Sequence, residues 1–154
     1  MPVDPVPEQY GSVTASLIVS PCADAIKFYV HAFAAVETGP PMTDPDGRVA
    51  HAEIKIGDTI VMLADESPDS PTRSPHSAGA TTVVMFIYTD DVDAMWERAI
   101  AAGAKEIFPL ELQFYGDKGV RIEDPFGHQW GLAQHVEDVS PEEMERRMAD
   151  YFST

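Results

Sequence analysis

The chain carries one pattern of secondary structure twice, and this internal repeat restricts its fold more than any other feature. Each copy reads as a strand, an amphipathic helix and then short strands. Equivalent positions lie about seventy residues apart, which is the spacing of one supersecondary unit rather than of a short motif. Because 154 residues suffice for one compact domain or two small halves, the repeat predicts two tandem modules.

The first copy covers residues 13–65. Residues 13–19 alternate up to an apolar end and predict a strand, and the following helix has apolar residues such as Ile26 and Tyr29 at three- and four-residue spacing. The short strands after it end in a hairpin at Gly57 and its neighbour. The order is therefore strand, helix and three strands.

A linker rich in Pro, Ser and Gly covers residues 66–80 and leads to the second copy at 81–136. Within that copy, a short strand begins at Lys105, and Pro109 predicts that it ends there. Residues 140–154 predict a C-terminal helix, opened by a serine N-cap and two acidic residues. We interpret its apolar side chains as packing or dimer contacts.

Three correspondences in sequence order support the repeat. An Asp-Ala pair stands in both helices, a glycine precedes the last strand of both copies, and a charged pair two residues apart lies on a strand of each copy. The paired positions are Asp24 and Asp93, Gly57 and Gly127, His51 and Arg121, and Glu53 and Glu123.

The charge balance excludes several classes of partner. The formal net charge is -16, from 26 acidic and 10 basic side chains, so phosphate backbones and anionic lipid are repelled. We therefore expect no nucleic acid and no membrane partner, and the same field favours cationic ligands. The first dozen residues lack the basic and apolar regions of a signal peptide, so we expect a cytoplasmic protein. The single cysteine, Cys22, is interpreted as a small buried apolar side chain rather than a nucleophile.

Four segments resemble one known superfamily. Residues 124–130 (DPFGHQW) are similar to the Asp-Pro-x-Gly turn before the last strand of the vicinal oxygen chelate superfamily, which includes glyoxalase I, bleomycin-resistance proteins and extradiol dioxygenases. Residues 23–29 resemble its first helix, and residues 114–117 and 135–141 are similar to its PhnB-like branch. The resemblance covers most of the chain and bears on fold more than on reaction.

The resemblance implies an α+β fold of two tandem βαβββ modules that form an incomplete, barrel-like cleft, usually within a homodimer. It also implies four metal-ligand positions, which by counting fall on Thr14, Val61, Val84 and Gly131. Valine and glycine offer no donor atom, and a neutral threonine hydroxyl is a weak one. We therefore expect no metal at this site and no cofactor.

The period of two along the strands predicts which side chains face the cleft. The candidate ligand-binding residues are Thr14, Ser16, His51, Phe86, Tyr88, Phe114, Tyr115 and Arg121. Two alternatives stay open at this point. The aromatic residues could simply fill a core, and Arg121 could pair with His51 or Glu53 instead of clamping a ligand.

Three functions are compatible with these features. The first is a metal-free binding protein of the bleomycin-resistance type that holds a small organic ligand, for which a cationic, antibiotic-like molecule is one candidate. The second is a lyase, isomerase or dioxygenase of the same superfamily with displaced ligands, using His51, Glu53 and Glu123. The third is a protein-association domain with a vestigial cleft.

Overall fold

A computed structural model describes residues 3–154, which form two compact units, one ending at Thr81 and the other spanning Thr82–Thr154. The first unit contains β1 (Ser16–Ile18), α1 (Cys22–Phe33), β2 (Val36–Glu37), β3 (Met42–Thr43), β4 (Val49–Ile56), β5 (Thr59–Ala64) and α2 (Pro75–Ala78). The second contains β6 (Val84–Tyr88), α3 (Val92–Ala101), β7 (Lys105–Leu112), β8 (Asp117–Glu123), β9 (Gln129–His135) and α4 (Pro141–Phe152).

The two sheets have the same topology. Their strand orders are β1-β5-β4-β2, with β3 also paired to β4, and β6-β9-β8-β7. In each unit the first strand pairs in parallel with the last, and the other pairings are antiparallel. The prediction of an α+β chain with two tandem βαβββ modules and a C-terminal helix is confirmed.

Each unit has its core between one helix and one face of its sheet. In the first, α1 buries Ile26, Tyr29 and Phe33, and the rings of Tyr29 and Phe33 stack with centroids 5.7 Å apart. In the second, α3 begins at Asp91, whose carboxylate accepts a hydrogen bond from the Ala94 amide.

Strand β7 corrects the sequence prediction that a strand ends before Pro109. The strand continues to Leu112, with register shifts between Glu106 and Phe108 and between Phe108 and Glu111. Proline is tolerated here because β7 is the edge strand of its sheet, where one side needs no amide donor. This continuation carries the residues after Pro109 alongside β8, where Glu111 pairs with Gly119 and Leu112 with Lys118.

The C-terminal helix α4 is attached by polar contacts rather than by burial, since none of its residues is buried. Ser140 caps it by accepting from the Glu143 amide. Arg147 donates to both Glu137 carboxylate oxygens, at 2.9 and 2.7 Å, to Glu143 and to the Phe114 carbonyl oxygen. Among residues 3–154, no helix has the length and apolar character needed to cross a membrane.

Candidate functional site

The open face of the second sheet brings four side-chain positions into one row across its strands. Phe86 on β6 pairs with Gly131 on β9, Gly131 pairs with Arg121 on β8, and Arg121 pairs with Phe108 on β7. Since paired residues point to the same side of a sheet, these positions share one face. Buried residues such as Ile122 alternate with them and pack on the helix side.

A cavity of about 310 Å³ opens on this face. Aromatic rings dominate its walls, and three charged side chains contribute to them. The lining residues are Phe86, Tyr88, Phe108, Pro109, Glu111, Gln113, Tyr115, Asp117, Gly119, Val120, Arg121, Leu132, Ala133 and Tyr151. An apolar cavity with a few polar groups is the usual form of a small-molecule site.

The ring of Phe86 occupies the space that a side chain at position 131 would need. A Cβ atom added to Gly131 would lie 2.3 Å from the nearest Phe86 ring carbon, well inside van der Waals contact. A histidine or glutamate at this position would therefore have to displace the ring. Glycine at position 131 leaves room for the Phe86 ring in the cavity wall. The ring occupies the space that the side chain of a metal ligand at this position would need.

The other positions implied by the resemblance do not supply a metal site either. Thr14 is half-buried just before β1, Val84 is half-buried on β6, and Val61 is buried. Within residues 3–154, no three His, Cys, Asp or Glu side chains converge as metal ligands would. The side chains at these positions therefore do not fit the metal that the superfamily resemblance implies.

The register corrects the position counted on β5. Ser16 pairs with Met62, and Met62 pairs with Glu53, whereas Val61 pairs with Ile54. Val61 therefore lies on the helix side, and the residue that shares the Ser16 face is Met62. The offset between the two modules therefore misplaces this position by one residue. The β4–β5 turn is shorter than the β8–β9 loop, and a shift of one residue moves a side chain to the other face of the sheet.

Arg121 lies between two rings and has an unused hydrogen-bond donor. Its guanidinium carbon is 5.5 Å from the Phe86 ring centroid and 5.9 Å from that of Phe108. Its Nε atom is buried, and no acceptor within residues 3–154 reaches it. These distances are those of cation–π contacts, which orient the guanidinium without satisfying its donors.

A chain of hydrogen bonds runs from the cavity to the surface. The Tyr88 hydroxyl donates to Asp117 Oδ2 at 2.7 Å, His135 Nδ1 is 2.8 Å from Asp117 Oδ1, and His135 Nε2 is 2.9 Å from Asp138 Oδ1. Hydrogen bonds to Asp138 and then Asp117 raise the pKa of His135. The bond to Asp117 also raises the pKa of Tyr88, which remains a neutral phenol. Asp117 is therefore already engaged on both oxygens.

The residues predicted in the first module form a separate polar cluster. His51 Nε2 is 3.0 Å from Glu53 Oε1, an oxygen that also accepts from the Tyr10 hydroxyl. Thr38 Oγ1 lies 3.5 Å from the other Glu53 oxygen. The hydrogen bonds from Tyr10 and then His51 lower the pKa of Glu53, which makes it a weaker base.

The predicted residues divide between the two units. Four of them line the second-unit cavity together, namely Phe86, Tyr88, Tyr115 and Arg121. Thr14, Ser16, His51 and Glu53 belong to the first unit, whereas Glu123 is on β8 and does not line the cavity. Phe114 packs against Tyr115 and Tyr151 instead, with ring centroids 5.2 and 5.0 Å apart.

Sequence reasoning did not select most of the cavity residues, among them Phe108, Asp117 and Tyr151. Phe108 is brought opposite Arg121 by the register shifts on either side of it, and Tyr151 lines the cavity from α4, so neither had a local signal. Asp117 lies in the segment that resembles the PhnB-like branch, and that position was the one available hint. Cys22 is fully buried, and burial together with Asp65 raises its pKa to about 12, so it is not a nucleophile.

Comparisons with known proteins agree with this architecture. Protein Rv0887c of Mycobacterium tuberculosis is 40% identical over 141 residues, which are 90% of this chain and 82% of that protein. The crystal structure of TioX from Micromonospora sp. ML1 matches with a TM-score of 0.64 at 25% identity, over 82% of this chain and 100% of that one. The PhnB protein of Bacillus cereus shares the fold, with a TM-score of 0.62 at 18% identity over 80% of this chain and 99% of that one.

The family model matches residues 11–132, which include the strands and helices of both modules up to the middle of β9. This is the family that the Asp-Pro-x-Gly turn and the first helix indicated. The chain belongs to the glyoxalase/bleomycin resistance protein/dioxygenase superfamily.

Proposed function

We propose that this protein binds a small organic ligand in the cavity of its second unit and does so without a metal. The observation that carries the proposal is the Phe86 ring, which fills the place of a side chain at Gly131. At a position where the superfamily resemblance implies a metal ligand, the chain has an aromatic surface for a ligand.

The composition of the cavity supports a planar or partly aromatic ligand. Its rings come from three different elements, since Phe86 and Tyr88 are on β6, Phe108 is on β7 and Tyr151 is on α4. Phe86, Phe108 and Tyr151 are 58%, 60% and 57% exposed, so a ligand that covered them would remove apolar area from water. Binding of this kind needs no catalytic group.

The test is a thermal-shift and calorimetric screen with aromatic metabolites and antibiotics, cationic ones included, in the presence of a chelator. We expect saturable binding that Phe86→Ala weakens by about tenfold or more, in line with the loss of a large buried aromatic contact. The matched control is Met42→Ala, which removes an apolar side chain of the first unit that is 65% exposed and outside the cavity. Uniform silence across the panel, or equal losses in both variants, would overturn the proposal.

A second candidate is an enzyme of the same superfamily, and the His51–Glu53 hydrogen bond of 3.0 Å is the observation that favours it. A lyase, isomerase or dioxygenase would use this pair with Glu123 and with donors other than the four counted positions. Metal analysis of protein purified without chelator separates the two candidates. Stoichiometric Ni, Zn, Fe or Mn would favour the enzyme and count against the binding protein.

We also propose a homodimer, which the superfamily resemblance implies. Exposed apolar side chains on the second unit, such as Leu112 at 61% and Phe152 at 75%, support an association surface. Sedimentation velocity at several concentrations measures the mass directly. A monomer across the micromolar range would contradict the proposal and would favour a site complete within one chain.

A further inference from the structure

The strongest unexplained feature of the cavity is the unpaired Arg121. Three of the other arginines have carboxylate partners. Arg48 pairs with Asp44 at 2.9 Å, and Arg146 and Arg147 both pair with Glu143. With 26 acidic side chains available, a carboxylate partner is the ordinary outcome, yet none within residues 3–154 lies within ion-pair distance of Arg121.

The surroundings of Arg121 explain why no group within residues 3–154 accepts a hydrogen bond from its Nε atom. Its cross-strand neighbours are Gly131, which has no side chain, and Phe108, which has no acceptor. Asp117 shares the cavity, but its oxygens are bonded to Tyr88 and His135. Glu111 is exposed where it lines the cavity. The Nε donor is therefore removed from water without an acceptor, which is unfavourable for a buried donor.

From this geometry, and resting on the proposed function of the same cavity, we infer that the ligand carries a carboxylate or a comparable oxyanion. Its oxygen accepts hydrogen bonds from the Arg121 guanidinium where this side chain lines the cavity, and its planar part lies against the rings of Phe86 and Phe108. Arginine is the side chain best suited to such an oxygen, because its planar fork donates charge-assisted hydrogen bonds.

The negative net charge does not oppose this inference at contact distance. A formal charge of -16 favours cations at long range, but salt screens exposed charges beyond about 8 Å at physiological ionic strength. The contact with an unpaired, desolvated guanidinium acts inside that distance. Arg121, rather than the net charge of the protein, therefore selects the bound ligand. The expected ligand is anionic, whereas the composition alone favours a cationic one.

Two probes with one ring system and opposite charges test the inference by isothermal titration calorimetry. Naphthoate carries a carboxylate, and naphthylmethylammonium carries a cation at the same ring carbon. We expect the wild-type protein to bind naphthoate more tightly. Arg121→Gln should weaken naphthoate by about tenfold or more, as expected for a charge-assisted hydrogen bond, and should leave naphthylmethylammonium within about threefold.

Two further variants make the result specific. Lys27→Gln removes the same charge from α1, where the side chain is 79% exposed, and should leave both affinities within about twofold. Arg121→Lys keeps the charge but loses the fork, so naphthoate should bind with intermediate affinity. Unfolding midpoints of all variants establish that each is folded before binding is compared.

The outcomes separate this inference from the proposed function. If naphthylmethylammonium binds the wild type better and Phe86→Ala abolishes it, the cavity binds ligands but the oxyanion inference is wrong. Equal effects of Arg121→Gln and Lys27→Gln on naphthoate would also overturn the inference. Silence of both probes would overturn it and count against the proposed aromatic site itself.

Discussion

The two units each contain a cavity of about 310 Å³, and the cavities differ in how their polar groups are satisfied. In the first unit, Arg48 is paired with Asp44 and Asp46, and Asp65 accepts from the Cys22 and Val49 amides. In the second, Arg121 keeps a buried donor without an acceptor. The same topology thus gives one cavity whose charged groups are paired within the unit and one in which a buried donor has no acceptor among residues 3–154.

The comparison teaches where duplicated modules have diverged. At register-equivalent positions the first sheet has Ser16, Met62 and Glu53, and the second has Phe86, Gly131 and Arg121. Glu53 is held by Tyr10 and His51, so its hydrogen-bonding capacity serves the first unit itself. This difference is the reason that the proposed ligand site lies on the second sheet.

The largest expected effect comes from comparing two aspartates, one in each unit, by how much each contributes to the free energy of unfolding. Asp124 is 2% exposed and accepts from the Phe126 and His128 amides and from the Trp130 indole at 2.9 Å. Asp124→Ala should cost about 3 kcal/mol in free energy of unfolding, since it strands several buried donors.

The matched variant in the first unit is Asp65→Ala. Asp65 is only half-buried, so water can replace part of its contacts, and the loss should be smaller, at about 2 kcal/mol. Urea unfolding measures both losses. A larger loss at Asp65 than at Asp124 would contradict the comparison.

A methyl group at Gly131 sharpens the contrast between the two sheet faces. Gly131→Ala should lower the free energy of unfolding by about 1 kcal/mol or less, because its Cβ displaces the exposed Phe86 ring rather than a core side chain, and should weaken naphthoate binding. Adding Phe86→Ala removes the clash, so the double variant should recover stability but not affinity. Met62→Ala, at the equivalent position of the first sheet, should leave binding unchanged. Additive losses in the double variant would argue against the ring contact.

The pH dependence of stability tests the Asp117–His135–Asp138 chain. Because hydrogen bonds to Asp138 and Asp117 raise the folded-state pKa of His135, its stabilisation is fully present below about pH 6.5 and is lost as pH rises through the raised value. The stability difference between wild type and His135→Gln should therefore be larger in acid than in alkali. His31→Gln, on an exposed part of α1, serves as the control. A difference that grows with pH would contradict the assignment.

The smallest expected effect concerns α4, which contributes Tyr151 to the second cavity. Arg147→Gln should raise the rate of proteolysis near α4 and weaken naphthoate by about threefold or less, as befits partly exposed ion pairs. Arg146→Gln is the control, since its ion pairs within the described part of the chain are with Glu143 and Asp150 of the same helix. High salt should reduce the difference between the variants. Identical behaviour of both would mean that Arg147 does not hold the helix.

Sequence alone determined the duplicated modules, the helix faces and the superfamily. These features are local or periodic: the stripe through Ile26 and Tyr29, the turn at Asp124 and Gly127, and the lack of donor side chains at the counted positions. Each depends on residues close together in the chain, so a pattern of neighbours carries the information.

Tertiary structure alone decided which side chains meet. The face of Val61 depended on a register that one residue changes, and the pairing of Phe108 with Arg121 depended on the register shifts in the edge strand β7. The Phe86 ring over Gly131 and the unpaired Nε of Arg121 arise between strands distant in sequence. Pairing across a sheet is set by turn lengths and by competition among partners, and no local pattern encodes it.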